Sequence, residues 1–183
     1  MTAPTVRIYY EDSRTAGRAF TLHDVVLACV GDDLRRHGWE LKHVVTCKPM
    51  NGNSKVLAEC SRVGPKLKER HIAVVLDGDR LDRALDLRAR YCKREAREAF
   101  ESRIADRRFE LFVLDENIET LLARLEELGD LFPLMREARE KDTDARDAVF
   151  SKAARLPEAR RLIREVASFD RLIHHVAAWL VPS

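Results

Sequence analysis

The sequence predicts an α/β fold: an open, mostly parallel sheet of about four strands, helices on both faces and a helical C-terminal tail. Three observations predict it. Short β-prone runs alternate with segments of helical period over the first 130 residues. The run at 71–76, HIAVVL, is apolar with no polar alternation, as in a parallel strand covered on both faces. The last third, 131–183, carries helical periodicity and no convincing strand.

The first strand is read at 6–10, and Glu11-Asp12-Ser13 stops it with loop-forming polar residues. From 16 to 37, Phe20, Val25, Val26, Cys29, Val30 and Leu34 recur at helical intervals, with an irregularity near Gly31 and Gly38 placed as a C-terminal cap. A second strand is expected at 39–47, followed by the turn Pro49-Met50-Asn51-Gly52-Asn53. Ser54 then caps a helix with Val56, Leu57 and Cys60, which Pro65 ends. The strand at 71–76 finishes in Asp77-Gly78-Asp79, and 80–105 reads as a partly exposed charged helix touching the core through Leu81, Leu85, Leu87, Tyr91 and Phe100. A fourth strand at 109–114 runs into Asp115-Glu116-Asn117, then a helix with the stripe Ile118, Leu121, Leu122, Leu125 and Leu128, ended by Gly129. The tail carries two or three helical segments, the last bearing Leu172, Ile173, Val176, Ala177 and Leu180. With no flexible linker, the expected organisation is a core at 1–130 and a helical extension at 131–183 packed on it.

Composition narrows the class. Of 183 residues, 45% are hydrophobic and 35% charged, which excludes a disordered chain, while a net charge of +2 gives no global basicity, so a phosphate-binding face must come from local segregation of charge. Cys29, Cys47, Cys60 and Cys92 are too widely spaced for a CxxC knuckle and read as buried free thiols of a reducing compartment. The N-terminus shows no export signal and no apolar run approaches the roughly 20 residues that span a bilayer, so a cytoplasmic protein without a membrane partner is expected.

Three predicted strands end in acids: Glu11 after the first, Asp77 and Asp79 after the third, and Asp115, Glu116 and Glu119 after the fourth. In a parallel sheet all these ends share the edge where ligands of open α/β folds bind. Carboxylates gathered there repel unless a cation compensates, and hard oxygen donors favour Mg²⁺ or Mn²⁺, bound as one or two ions. Zinc has weaker support, because no histidine stands at a zinc-binding spacing from a cysteine or acid. Taken singly the acids also fit structural roles: Asp79 and Asp115 stand where helix caps would. Glu11 fits either a metal ligand or a general base. Arg14, Arg18, Lys48, Lys55 and Arg80 lie near the predicted strand ends and could hold a backbone phosphate. Lys152, Arg155, Arg160, Arg161 and Arg164 add charge to the tail, Arg160 and Arg164 on one helical face, although Glu158 and Glu165 also suit a solvated surface. The interleaved charges of 88–108 read as exposed i, i+4 pairs, and Trp39 and Trp179 as core residues.

The sequence Val6-Arg7-Ile8-Tyr9-Tyr10-Glu11 resembles the first strand and glutamate of the Toprim domain, the Mg²⁺-binding fold of topoisomerases, primases and OLD-family nucleases. Ala73-Val74-Val75-Leu76-Asp77-Gly78-Asp79-Arg80 resembles its strand and DxD motif. The segment 112–122 is similar to the strand, asparagine, glutamate and apolar helix of small bacterial Toprim-like proteins, with Glu119 as the corresponding acid, and 167–172 resembles their last, aromatic-bearing helix. The resemblance implies a Mg²⁺-dependent nuclease or nuclease subunit with Glu11, Asp77, Asp79 and Glu119 at its centre. It also implies nucleic acid as substrate and, in such systems, an ATPase partner in bacterial defence or repair. The sequence departs from the family at Asp12, where glycine is usual, which either adds a ligand or crowds the site. A non-catalytic module of the same shape, binding an ATPase or nucleic acid, stays open. So does a phosphohydrolase with Asp77 as nucleophile, since Asp77-Gly78-Asp79-Arg80-Leu81 faintly resembles the haloacid-dehalogenase motif, which normally follows a first strand. A homo-oligomer is compatible with all three.

Overall fold

Strands β1 (Val6–Tyr10), β2 (Val45–Pro49), β3 (His71–Asp77) and β4 (Phe109–Leu114) form one sheet in the order β2-β1-β3-β4, parallel throughout. The computed structural model describes residues 5–11, 21–50, 52, 55–56, 59, 71–77, 109–114 and 118–181. The register sets Val6, Ile8 and Tyr10 beside Val45 and Cys47 on one side and Ala73 and Val75 on the other, and through β3 reaches Phe112 and Leu114. Because side chains alternate along a strand, these residues share one face. That face is buried in a core cluster with α1 (Thr21–Leu34) and α6 (Ala167–Leu180). The alternate positions Tyr9, Ile72, Val74, Leu76 and Leu111 are buried as well. Burial of both faces is why β3 reads as an unbroken apolar run.

α1 ends sooner than the 16–37 expected. It ends at Leu34, and the residue that turns the chain is Arg35, at φ 53°, three positions before the glycine expected to cap it. The two glycines of this region have a different task, which is close approach. A Cβ on Gly38 would stand 2.9 Å from the backbone of Leu27 and Ala28, and one on Gly31 would stand 2.5 Å from the carbonyl oxygen of Arg36. Pressed against α1 in this way, 38–43 forms a 3₁₀ helix (Gly38–His43) and not the start of the strand expected at 39–47. Bonds from Glu40 N–H to His37 O at 2.9 Å and from Val44 N–H to Leu41 O at 3.0 Å close the tight turns. Leu41 points into the core, whereas Trp39 is 68% exposed, which corrects its expected core position.

After β4, α2 (Ile118–Leu125) buries Ile118, Leu121, Leu122 and Leu125, and a 3₁₀ turn (Glu126–Leu131) with Gly129 at φ 49° ends that element. The tail holds four helices where two or three were expected: α3 (Met135–Arg139), α4 (Thr143–Ala153), α5 (Pro157–Arg164) and α6. Lys141, at φ 71°, breaks the chain before α4, and the Asp142 side chain caps α4 by accepting from Asp144 N at 2.8 Å and Ala145 N at 3.0 Å. Proline in the first turn of α5 starts that helix without losing a helical bond. The core cluster runs without a break from the sheet through α2 to α6. Trp179, expected in the core, is half-buried and packs against its border, stacked on His71 at 4.9 Å between centroids and edge-on to Phe112 at 6.4 Å. No helix among the described residues is long and apolar enough to cross a membrane. The segment 80–105 and its expected charged helix lie outside the described residues, as do Cys60 and Cys92.

Charge ties the tail to α1. Asp32 and Asp33 sit in the last turn of α1, where the helix dipole disfavours anions and no basic residue of α1 compensates. Arg160 of α5 grips Asp32 through two bonds, 2.6 and 3.0 Å, and Arg164 grips Asp33 at 2.6 and 3.3 Å and Asp170 at 2.6 Å. Burial works against the Arg164 charge, but its bonds to Asp33 and Asp170 more than offset this and raise its pKa. The shared face of Arg160 and Arg164 therefore meets α1 carboxylates. Replacing Arg164 with Met should cost about 1.5–3 kcal/mol in chemical denaturation, the range for hydrogen bonds to charged groups. Gly38→Ala should cost about 1–3 kcal/mol by overpacking, because the atoms it meets are backbone.

Candidate functional site at the carboxyl edge of the sheet

In this topology the chain steps from β1 outward to β2 and then returns to the other side of β1 for β3, so the crevice between the carboxyl ends of β1 and β3 is the switch point of the sheet. Glu11 and Asp77 stand on its two sides. The Glu11 N–H donates to Val75 O at 3.0 Å, continuing the ladder by one residue. At the next rung its side chain takes over, for the Asp77 N–H donates to Glu11 Oε2 at 2.7 Å. The Glu11 carbonyl accepts instead from Gly52 N–H at 2.9 Å, while Met50 N–H donates to Tyr10 O at 2.8 Å. Gly52 reaches this position at φ 98°, a conformation that favours glycine. Met50 and Gly52, within the turn expected at 49–53, are thus fastened to the end of β1, and Glu11, only 8% exposed, holds the Asp77 N–H at the last residue of β3 with its carboxylate.

Glu119 lies in the first turn of α2, at the end of β4 on the same edge. Its Oε1 accepts from Arg146 of α4 at 2.6 Å, and Arg146 is itself held by the carbonyl of Ala138 at 2.9 Å. Lys48 is ion-paired with Glu59, and Lys55 is exposed. Asp79, Asp115, Glu116, Arg14, Arg18 and Arg80 lie outside the described residues, as does Asp12. The structure therefore brings Glu11 and Asp77 together and puts Glu119 one strand further along, in contact with a cation. The oxygen donor set suits a hard divalent ion. Among the described residues, no three histidine, cysteine, aspartate or glutamate side chains form a group able to hold a metal.

Sequence reading missed a polar pair beneath this edge. Tyr10 OH and His23 Nδ1 lie 3.0 Å apart in the core, where strand alternation turns Tyr10 inward and the first turn of α1 carries His23. Burial lowers the His23 pKa to about 4, only partly countered by a bond to the Val45 backbone and by Asp24. Burial also raises the Tyr10 pKa well above its ordinary value, with Cys47 and Asp24 adding to it. Burial likewise pushes the Cys29 thiol up to about 12, which makes it an inert core residue. Between the unfolded His pKa of about 6.5 and about 4, the unfolded chain binds a proton that the folded chain refuses. His23 should therefore make stability fall as pH drops through that window, by on the order of 3 kcal/mol. Urea midpoints measured from pH 7 to 4 should show the slope, and His23→Gln should flatten it.

No protein-family model matches the chain, and no curated relative matches it. Among solved structures, it is similar to the C-terminal region of the OLD protein of Xanthomonas campestris pv. campestris. The mercury-phased structure is 15% identical with a TM-score of 0.41, covering 97% of this chain and 96% of that one. The platinum-phased structure is 13% identical with a TM-score of 0.41, covering 94% of this chain and 97% of that one.

Proposed function

We propose that the crevice between β1 and β3 is a Mg²⁺- or Mn²⁺-dependent site for cleaving phosphodiesters, and that the chain is a Toprim-like nuclease or nuclease subunit acting on nucleic acid. The observation that carries this reading is the placement of Glu11 and Asp77 across the switch point, joined by the 2.7 Å bond from Asp77 N–H to Glu11 Oε2. A nearly buried carboxylate, held in one rotamer by a backbone donor, is pre-organised for a cation or a proton and needs little rearrangement when substrate arrives. Glu11 then serves as ligand or general base, with Asp77, Asp79 and Glu119 completing the set and Asp115 and Glu116 beside them. Bound to these oxygens, the ion would neutralise charge on the phosphoryl group and lower the pKa of an attacking water. Arg14, Arg18, Lys55 and Arg80 are the proposed phosphate contacts, whereas Lys48 would first have to leave Glu59. An ATPase partner belongs to the same proposal.

The hold of Arg146 on Glu119 favours a second reading, a binding module without metal chemistry, because a cation already neutralises that acid. Cleavage of supercoiled plasmid in Mn²⁺ or Mg²⁺ at low salt separates the two. Glu11→Gln keeps an oxygen for the Asp77 N–H and removes the charge, so it should fold and lose at least about 100-fold in metal-dependent rate, more than loss of an outer-shell contact costs. Asp77→Asn should do the same. Wild-type rates in both variants would overturn the assignment, and calorimetry showing no Mg²⁺ or Mn²⁺ binding to the folded protein would favour the binding module.

A further inference from the structure

We propose a nucleotide-binding pocket, distinct from the carboxylate edge, between α1, the 3₁₀ helix at 38–43 and α4. A cavity of about 590 Å³ opens there, within the ordinary size of a small-ligand site. Its aromatic wall is Trp39, 68% exposed, with the His37 ring nearly parallel to it at 6.3 Å. An indole this open to water is unusual for a residue that is generally well buried. The lining carries four cations against two carboxylates, an excess of two positive charges. Asp32 is occupied by Arg160, and Asp24 faces Lys42 at 3.3 Å. Arg36 and Arg155 are exposed at the pocket, and no acid among the described residues is ion-paired with either.

These features select the ligand class. A phosphate alone has no use for an open indole, and an uncharged ring has none for two uncommitted guanidinium groups. A nucleobase carrying a phosphate uses both, with the base on Trp39 and the phosphate on Arg36 and Arg155. α1 follows β1 and leads to the 3₁₀ helix before β2, so Trp39 lies toward the amino edge of the sheet, away from Glu11 and Asp77. The pocket is thus independent of the proposed cleavage site.

The unit can come from a free nucleotide or from a single strand, and the test distinguishes them. The full chain, in EDTA and at low salt, would be titrated with adenosine monophosphate and, separately, with a labelled single-stranded oligonucleotide. Monophosphate binding would be followed by isothermal calorimetry and oligonucleotide binding by anisotropy. Saturable binding of either probe that weakens about 10-fold or more in Trp39→Ala, in line with the value of base stacking, supports the proposal. Binding of the monophosphate then identifies a free-nucleotide site, and binding of the strand alone identifies a strand contact. The double variant R36Q/R155Q, which alters only exposed side chains, should weaken binding comparably and guards against a folding defect in Trp39→Ala. Binding of neither probe, or equal affinity in all three proteins, overturns it. EDTA keeps metal-dependent cleavage silent, so the result is independent of the carboxylate site.

Discussion

Parallel pairing of β1 with β3 is the constraint on which the rest of the structure depends. Neighbouring parallel strands cannot be joined by a tight turn, so each must be reached by a crossover that lays chain over a sheet face. Both faces of the central strands are consequently buried, and the polar residues that end them are delivered to one edge. At that edge the last rung of the ladder is made by the Glu11 carboxylate in place of its carbonyl, which is given to Gly52. One residue thereby closes the sheet, anchors Gly52 beyond β2 and stands with its carboxyl group at the switch point. The structural role of Glu11 and the chemical role proposed for it therefore rest on the same bond.

A similar economy governs the tail. Two acids at the carboxyl end of α1 would be unfavourable alone, and two arginines one turn apart on α5 would be a phosphate-binding face if they met water. Packed together, each set resolves the other, and the interhelical contact gains charge-assisted bonds in a partly buried setting. The basic residues of a helix thus say little about nucleic acid until the opposing surface is known. Lys48, paired with Glu59, makes the same point beside the candidate site.

The interior near that site is also less uniform than hydrophobic periodicity implies. The His23 and Tyr10 pair occupies core positions as a mutually bonded polar unit, and it stays neutral because charging either ring there would cost desolvation. Trp39 shows the reverse. It lies between polar and apolar neighbours in a segment of strand-like composition, yet the tight turns forced by Gly38 against α1 turn Leu41 inward and leave the indole outside.

Local chemistry by itself determined the first, third and fourth strands, the presence of the second, the apolar stripe of α2 and the inward positions of α6. Each follows from periodicity that a short segment carries without help from the rest of the chain. It also marked Glu11 and Asp77 as strand-end acids, since an apolar run that stops in carboxylates is visible in any reading. Only the tertiary structure decided that these two meet across the switch point, that Glu119 is held by Arg146, and that Arg160 and Arg164 face α1. It also decided where α1 ends, at Arg35, and that residues 38–43 coil in place of extending. Those outcomes depend on contacts between elements, from the neighbouring α1 and 3₁₀ helix to residues more than 100 positions apart, which propensity and spacing do not encode.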